Sequence, residues 1–195
     1  MKKVVFIGSS VCYGYGAKDN FGWSRMLAQR LEAEGWETEN CAIGGERTAH
    51  ILFRLQKDVI DKHPDVCFVG LGLANEGFAN TKTDGERATV RGTFESNLYV
   101  IVEKLKKAGI RVVLGGLYPN NAYTPDHARV LKETEQAMSS WGVPVLHWFD
   151  ALADENGRFR EGLYRDPGHP NDEGYRVMYD CIPENIMEEA EKSLI

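Results

Sequence analysis

The sequence predicts an α/β fold: a three-layer α/β/α sandwich on a doubly wound, mainly parallel sheet of five strands in the order 2-1-3-4-5. Three observations predict it. Short apolar runs alternate with amphipathic stretches from end to end. Several runs are apolar throughout, as strands covered on both faces should be. Right-handed crossovers with helices on both faces then favour that strand order, which puts the first strand in the centre.

The strand candidates are Lys3–Gly8, Glu37–Ile43, Val66–Leu71, Arg111–Leu117 and Val143–Phe149. Between them, helical spacing of apolar residues runs over Gly22–Glu34, Arg47–Lys62, Thr89–Ala108 and Pro125–Trp141, with a last helix from Asn171 to about Ser193. Gly35 and Gly109 fall where helix C-caps belong, and Asn171-Asp172-Glu173 reads as an N-cap with an acidic first turn. No repeat, low-complexity tract or linker interrupts the pattern, so a single domain over residues 1–195 is expected.

Composition narrows the function classes. The chain is 43% hydrophobic and 27% charged, ordinary values for a globular protein. Its formal net charge of −6 argues against nucleic acid or an anionic membrane as partner, since both reward a basic surface. The apolar run after Lys2-Lys3 spans only Val4–Ile7, shorter than the ~7–15 residues of a signal-peptide core. No stretch approaches the ~20 apolar residues of a membrane span. Cys12, Cys41, Cys67 and Cys181 are scattered without C-x-x-C spacing, so neither a metal site nor another cofactor is expected. Reduced cysteines in strand-like runs and the lack of an export signal point to the cytoplasm.

In the doubly wound order, ligands belong beyond the carboxyl ends of the strands, near the first. After the first strand comes Gly8-Ser9-Ser10-Val11-Cys12-Tyr13-Gly14-Tyr15-Gly16. A serine presented there is a candidate nucleophile, although this segment alone reads more readily as an ordinary strand-to-helix turn. A phosphate-binding loop is the competing reading, but neither G-K-[ST] nor G-x-G-x-x-G is present. After the second strand, Gly44-Gly45 precedes a helix and can turn backbone N–H groups towards a ligand. After the third, Asn75 can offer a side-chain amide or simply make a turn.

Near the carboxyl end, Asp166-Pro167-Gly168-His169-Pro170-Asn171 places an aspartate three residues before a histidine bracketed by prolines. This can set a carboxylate against imidazole Nδ1 and leave Nε2 to take a serine proton, or it can be a proline-rich helix cap. Topology favours convergence. Gly45 and Asn75 fall on the two strand ends flanking Ser10, each about 5 Å away, and His169 must return roughly 14 Å across the sheet. The segment from Ala151 to Gly168 is long enough to bring it back.

Together these four segments resemble the SGNH (GDSL-type) hydrolase family. Gly8-Ser9-Ser10 stands where the family has Gly-Asp-Ser, Gly45 matches its oxyanion glycine, Asn75 its oxyanion asparagine, and Asp166-Pro167-Gly168-His169-Pro170-Asn171 its Asp-x-x-His-Pro-Asn. The resemblance covers roughly residues 3–180 and implies a flavodoxin-like sandwich. It implies a serine esterase whose catalytic residues are Ser10, His169 and Asp166, with an oxyanion hole from Ser10, Gly45 and Asn75. Three positions depart from the pattern: Ser9 replaces the usual aspartate, Ala42 the first glycine of the second motif, and Glu76 the aspartate after the oxyanion asparagine.

The expected substrate is a small-molecule ester of a short acyl chain, O-acetylated carbohydrates included, because no broad apolar loop suggests a long-chain lipase. Rival readings are a lysophospholipase or thioesterase, an acyltransferase using the same triad, and a non-catalytic nucleotide- or phosphate-binding module. Tyr13, Tyr15, Phe21 and Trp23 follow the serine closely; they can stack on a sugar or, for Phe21 and Trp23, anchor the first long helix.

Overall fold

A computed structural model describes residues 2–193. Its central sheet holds β1 (Lys3–Gly8), β2 (Glu37–Asn40), β3 (Val66–Gly70) and β4 (Arg111–Leu114), all parallel, in the order β2-β1-β3-β4. Alternate residues feed two separate cores, as pleating requires. Val5, Ile7, Cys67, Val69, Val112 and Leu114 enter one; Val4, Phe6, Val66, Phe68 and Val113 enter the other. The three-layer α/β expectation therefore holds, with β1 in the interior of the sheet.

The fifth strand does not form as expected. At its place a single parallel bridge joins Leu114 to Val145, closed by Leu114 N–H to Pro144 O (2.9 Å) and Leu146 N–H to Leu114 O (2.8 Å). Pro144 has no N–H with which to extend the ladder, and Phe149 already opens a short helix. The sheet is four strands plus this bridge. The second strand also stops early. Asn40 Oδ1 accepts the N–H of Ala42 (2.9 Å), while Cys41 N–H to Phe6 O (2.7 Å) and Ile43 N–H to Gly8 O (3.0 Å) still tie this segment to β1.

The helices are α1 (Ser10–Tyr13), α2 (Trp23–Ala33), α3 (Thr48–Asp58), α4 (Asp84–Lys107), α5 (Pro125–Ser139), α6 (Phe149–Leu152), α7 (Asp172–Asp180) and α8 (Ile186–Lys192). Two differ instructively from the spacing of apolar residues. The fourth starts five residues early because Thr83 and Glu86 form a capping box, Glu86 N–H to Thr83 Oγ1 (3.2 Å) and Thr83 N–H to Glu86 Oε2 (3.0 Å). The expected last helix is divided between α7 and α8 around Pro183, which cannot continue the helical hydrogen bonding. A two-stranded antiparallel hairpin, β5 (Tyr164–Asp166) and β6 (His169–Pro170), was not expected, and it carries the histidine. No described helix is long and apolar enough to cross a membrane.

Candidate active site

β1 ends against β3 with no room for side chains: a Cβ on Gly8 would lie 2.0 Å from Gly70 O. The chain turns directly into α1, and the two serines there have opposite fates. Ser9 is fully buried, and its Oγ has no hydrogen-bond partner among the described residues. Ser10 is half-buried, and its Oγ lies 2.9 Å from His169 Nε2. Of the two, Ser10 is the hydroxyl in contact with a base.

His169 is seated by its neighbours. Its Nδ1 lies 2.8 Å from Asp166 Oδ1, and the same oxygen accepts the Gly168 N–H at 2.9 Å. Partial burial pushes the Asp166 carboxyl up, but the Gly168 N–H and the His169 ring outweigh it and hold the group below its ordinary value. In the tautomer that donates Nδ1–H to Asp166, Nε2 can accept a hydrogen bond from the Ser10 hydroxyl. Tyr15 packs edge-on against the imidazole, ring centroids 4.6 Å apart.

The backbone brings this arm across the sheet. Gly16, at φ +102°, passes so close that a Cβ there would lie 2.3 Å from Pro170 O. Asn171 caps α7 by accepting the Gly174 N–H (2.9 Å) and donates from Nδ2 to Gly162 O (2.7 Å). Asn121 N–H donates to Pro167 O (2.7 Å), and Tyr175 Oη donates to Tyr15 O (2.7 Å).

On the opposite side lies the turn after β2. A Cβ on Gly44 would be 3.8 Å from Ser10 Cβ, and Gly45 follows at φ +78°, open to solvent. The N–H groups of Ser10 and Gly45 meet no acceptor among the described residues. Asn75, in a one-turn 3₁₀ helix over Leu73–Glu76, donates from Nδ2 to Glu46 O at 2.9 Å. Its amide therefore meets this turn, with one of its two N–H bonds already engaged. The structure thus brings Ser10, His169 and Asp166 into one hydrogen-bonded chain, and ties the Asn75 loop after β3 to the Gly45 turn after β2 through Glu46 O.

Tyr15, packed on His169, is exposed (51%), whereas Tyr13 faces a cavity lined by Asn20, Ser24, Arg25 and Asn40 and Trp23 is fully buried in the core. Among the described residues no group of three or more His, Cys, Asp or Glu is arranged to hold a metal ion.

The profile of the GDSL-like Lipase/Acylhydrolase family matches residues 6–177. The chain belongs to this family. Among curated proteins it is similar to Esterase TesA of Pseudomonas aeruginosa, 24% identical over 139 residues, which are 70% of this chain and 65% of that protein. It is also similar to the uncharacterized lipoprotein YqeF of Bacillus subtilis, 32% identical over 92 residues, 47% of this chain and 36% of that one. The chain thus spans less than two thirds of the length of these curated relatives. Among solved structures, a catalytic mutant of an acetylxylan esterase from Geobacillus stearothermophilus shares the fold at a TM-score of 0.69 and 18% identity, covering 97% of this chain and 94% of that one.

Within this GDSL-like framework, several residues that shape the site carry no sequence signal. Gly16, Tyr175 and Asn121 act through contacts made only in the folded chain. Two polar pairs next to the Gly45 turn, Glu46 with Arg54 and Thr48 with Glu76, are marked by no motif.

Proposed function

We propose that this protein is a serine ester hydrolase acting on short-chain acyl esters, with acetylated carbohydrates as the leading substrate class. The observation that carries the reading is the continuous chain Ser10 Oγ–His169 Nε2 (2.9 Å) and His169 Nδ1–Asp166 Oδ1 (2.8 Å) at the end of the interior strand. His169 takes the proton from Ser10 as Oγ attacks the acyl carbon. The resulting oxyanion faces the N–H groups of Ser10 and Gly45, joined by the free N–H of the Asn75 amide. Collapse expels the alcohol, which leaves with the proton from His169. Water then repeats the sequence on the acyl-enzyme and releases the acid. Asp166 stabilises the imidazolium formed in both steps.

The open turn at Gly44-Gly45 and the exposed Tyr15 beside His169 support a small acyl group with a polar alcohol rather than a long buried chain. Likeness to an acetylxylan esterase is consistent with this at the level of fold. The four cysteines are free thiols, which supports a reducing, cytoplasmic setting.

The test is turnover of p-nitrophenyl esters from acetyl to dodecanoyl, together with acetylated xylo-oligosaccharides. The reading expects kcat/KM to be highest for acetyl and to fall by about tenfold or more by octanoyl, as added methylenes find no apolar pocket. A maximum at decanoyl or dodecanoyl would overturn the substrate class in favour of a lysophospholipase or thioesterase.

A further inference from the structure

The turn that carries Gly45 contains two consecutive glycines and is exposed, so its own chain does little to fix it. What fixes it comes from behind. On its amino side, Ile43 N–H donates to Gly8 O (3.0 Å), tying the turn to β1. On its carboxyl side stand two carboxylates. Glu46 accepts from Arg54 Nε (2.8 and 3.0 Å) and from its Nη2, and both side chains are only 12% exposed. Arg54 reaches it from the middle of α3 and is held at its other end by Asp58 (2.8 Å). Glu76, at the end of the 3₁₀ helix that follows β3, accepts both the N–H (2.7 Å) and the hydroxyl (2.8 Å) of Thr48, the first residue of α3. Asn97 of α4 donates to that hydroxyl as well (3.0 Å). The Thr48 N–H would otherwise be one of the orphaned donors of a helix start.

From this geometry we infer that Glu76 and Glu46 are positioning residues for the oxyanion site: they lock α3 and the Gly44–Glu46 turn to β3, and so hold the Gly45 N–H and the Asn75 amide at Ser10. The inference rests on the acyl-transfer reading above. It also gives a physical reason for glutamate at position 76: its carboxylate spans from the β3 loop to Thr48. An oxyanion donor works by being in place before charge develops. Loosening its support therefore weakens transition-state stabilisation more than ground-state binding.

The experiment compares wild type, Ser10→Ala, Glu76→Ala, Glu76→Gln and Glu46→Ala in steady-state hydrolysis of p-nitrophenyl acetate and in the rate of fluorophosphonate labelling, whose phosphoryl oxygen needs the same donors. Glu76→Ala should lower kcat by about 10- to 100-fold, with labelling falling in parallel. Its KM should stay within about twofold. Glu76→Gln keeps an oxygen facing Thr48 and should recover to within about threefold of wild type. Glu46→Ala leaves Arg54 paired with Asp58, so it tests the turn even if Glu76→Ala does not fold; the same split towards kcat is expected. Wild-type kcat in the folded alanine variants, a loss confined to KM, or a Glu76→Gln no better than Glu76→Ala would overturn the positioning role. If Ser10→Ala retained turnover, the acyl-transfer reading would fall and the inference with it. If Ser10→Ala is inactive and the alanine variants are not impaired, only the inference falls.

Discussion

Two loops meet over Ser10, and they are held by different means. The His169 arm is fixed mainly by backbone and shape: prolines on both sides, Asn171 capping α7, and Gly16 passing within reach of Pro170 O. The Gly45 turn is fixed by long side chains, Glu46 to Arg54 and Glu76 to Thr48. The difference teaches where each half of the chemistry can be disturbed. On the proposed mechanism, proton transfer should suffer when a hydrogen bond or a close approach in the arm is changed, and oxyanion stabilisation when a distant carboxylate is removed.

The largest effect should come from within the arm. Asp166→Asn keeps an oxygen for the Gly168 N–H but no longer compensates an imidazolium, and kcat should fall by about 10⁴-fold, as in other Ser-His-Asp systems. This variant also reports on pH. The Asp166 carboxyl is held below its ordinary value in the folded chain. Its contribution to stability is therefore present above the unfolded value of about 3.9 and is lost as pH falls through the lowered one. Thermal unfolding followed from pH 5 downward should show a smaller loss of Tm in Asp166→Asn than in wild type.

Gly16→Ala should come next, with kcat/KM down by about 10²-fold, because a Cβ at this position must push Pro170 and the adjoining His169 away from Ser10. The left-handed φ of +102° adds strain of about 1–3 kcal/mol. Wild-type activity in a folded Gly16→Ala would erase the contrast between the two loops. The carboxylate variants of the Gly45 turn should have the smallest effect, since they act on a donor they do not touch.

Much of this was legible in the sequence, for identifiable reasons. β1 and β3 are apolar on both faces, and their pattern fixes the interior of a parallel sheet. Asp166 and His169 lie three residues apart between prolines, so their meeting is local. The fifth strand was misread because apolar content at Val143–Phe149 masks the missing N–H of Pro144. The start of α4 was misread because Thr83–Glu86 signals a cap ahead of any apolar repeat. Glu46, Thr48, Arg54 and Glu76 were not legible as a unit. Glu76 and Thr48 are 28 residues apart, and only the folded chain brings the 3₁₀ helix after β3 against the start of α3. Asn75 was found by its motif, yet its bond to Glu46 O depends on the same approach.

On the proposed mechanism, Ser10 carries the acyl group during turnover. The direct measurement is intact-protein mass spectrometry of wild type, Ser9→Ala and Ser10→Ala after a fluorophosphonate or a slowly hydrolysed ester, followed by peptide mapping. A single adduct on the peptide bearing Ser10, present in wild type and Ser9→Ala and absent in Ser10→Ala, is the predicted result. An adduct that persists in Ser10→Ala, or no adduct in an enzyme that still cleaves esters, would contradict it.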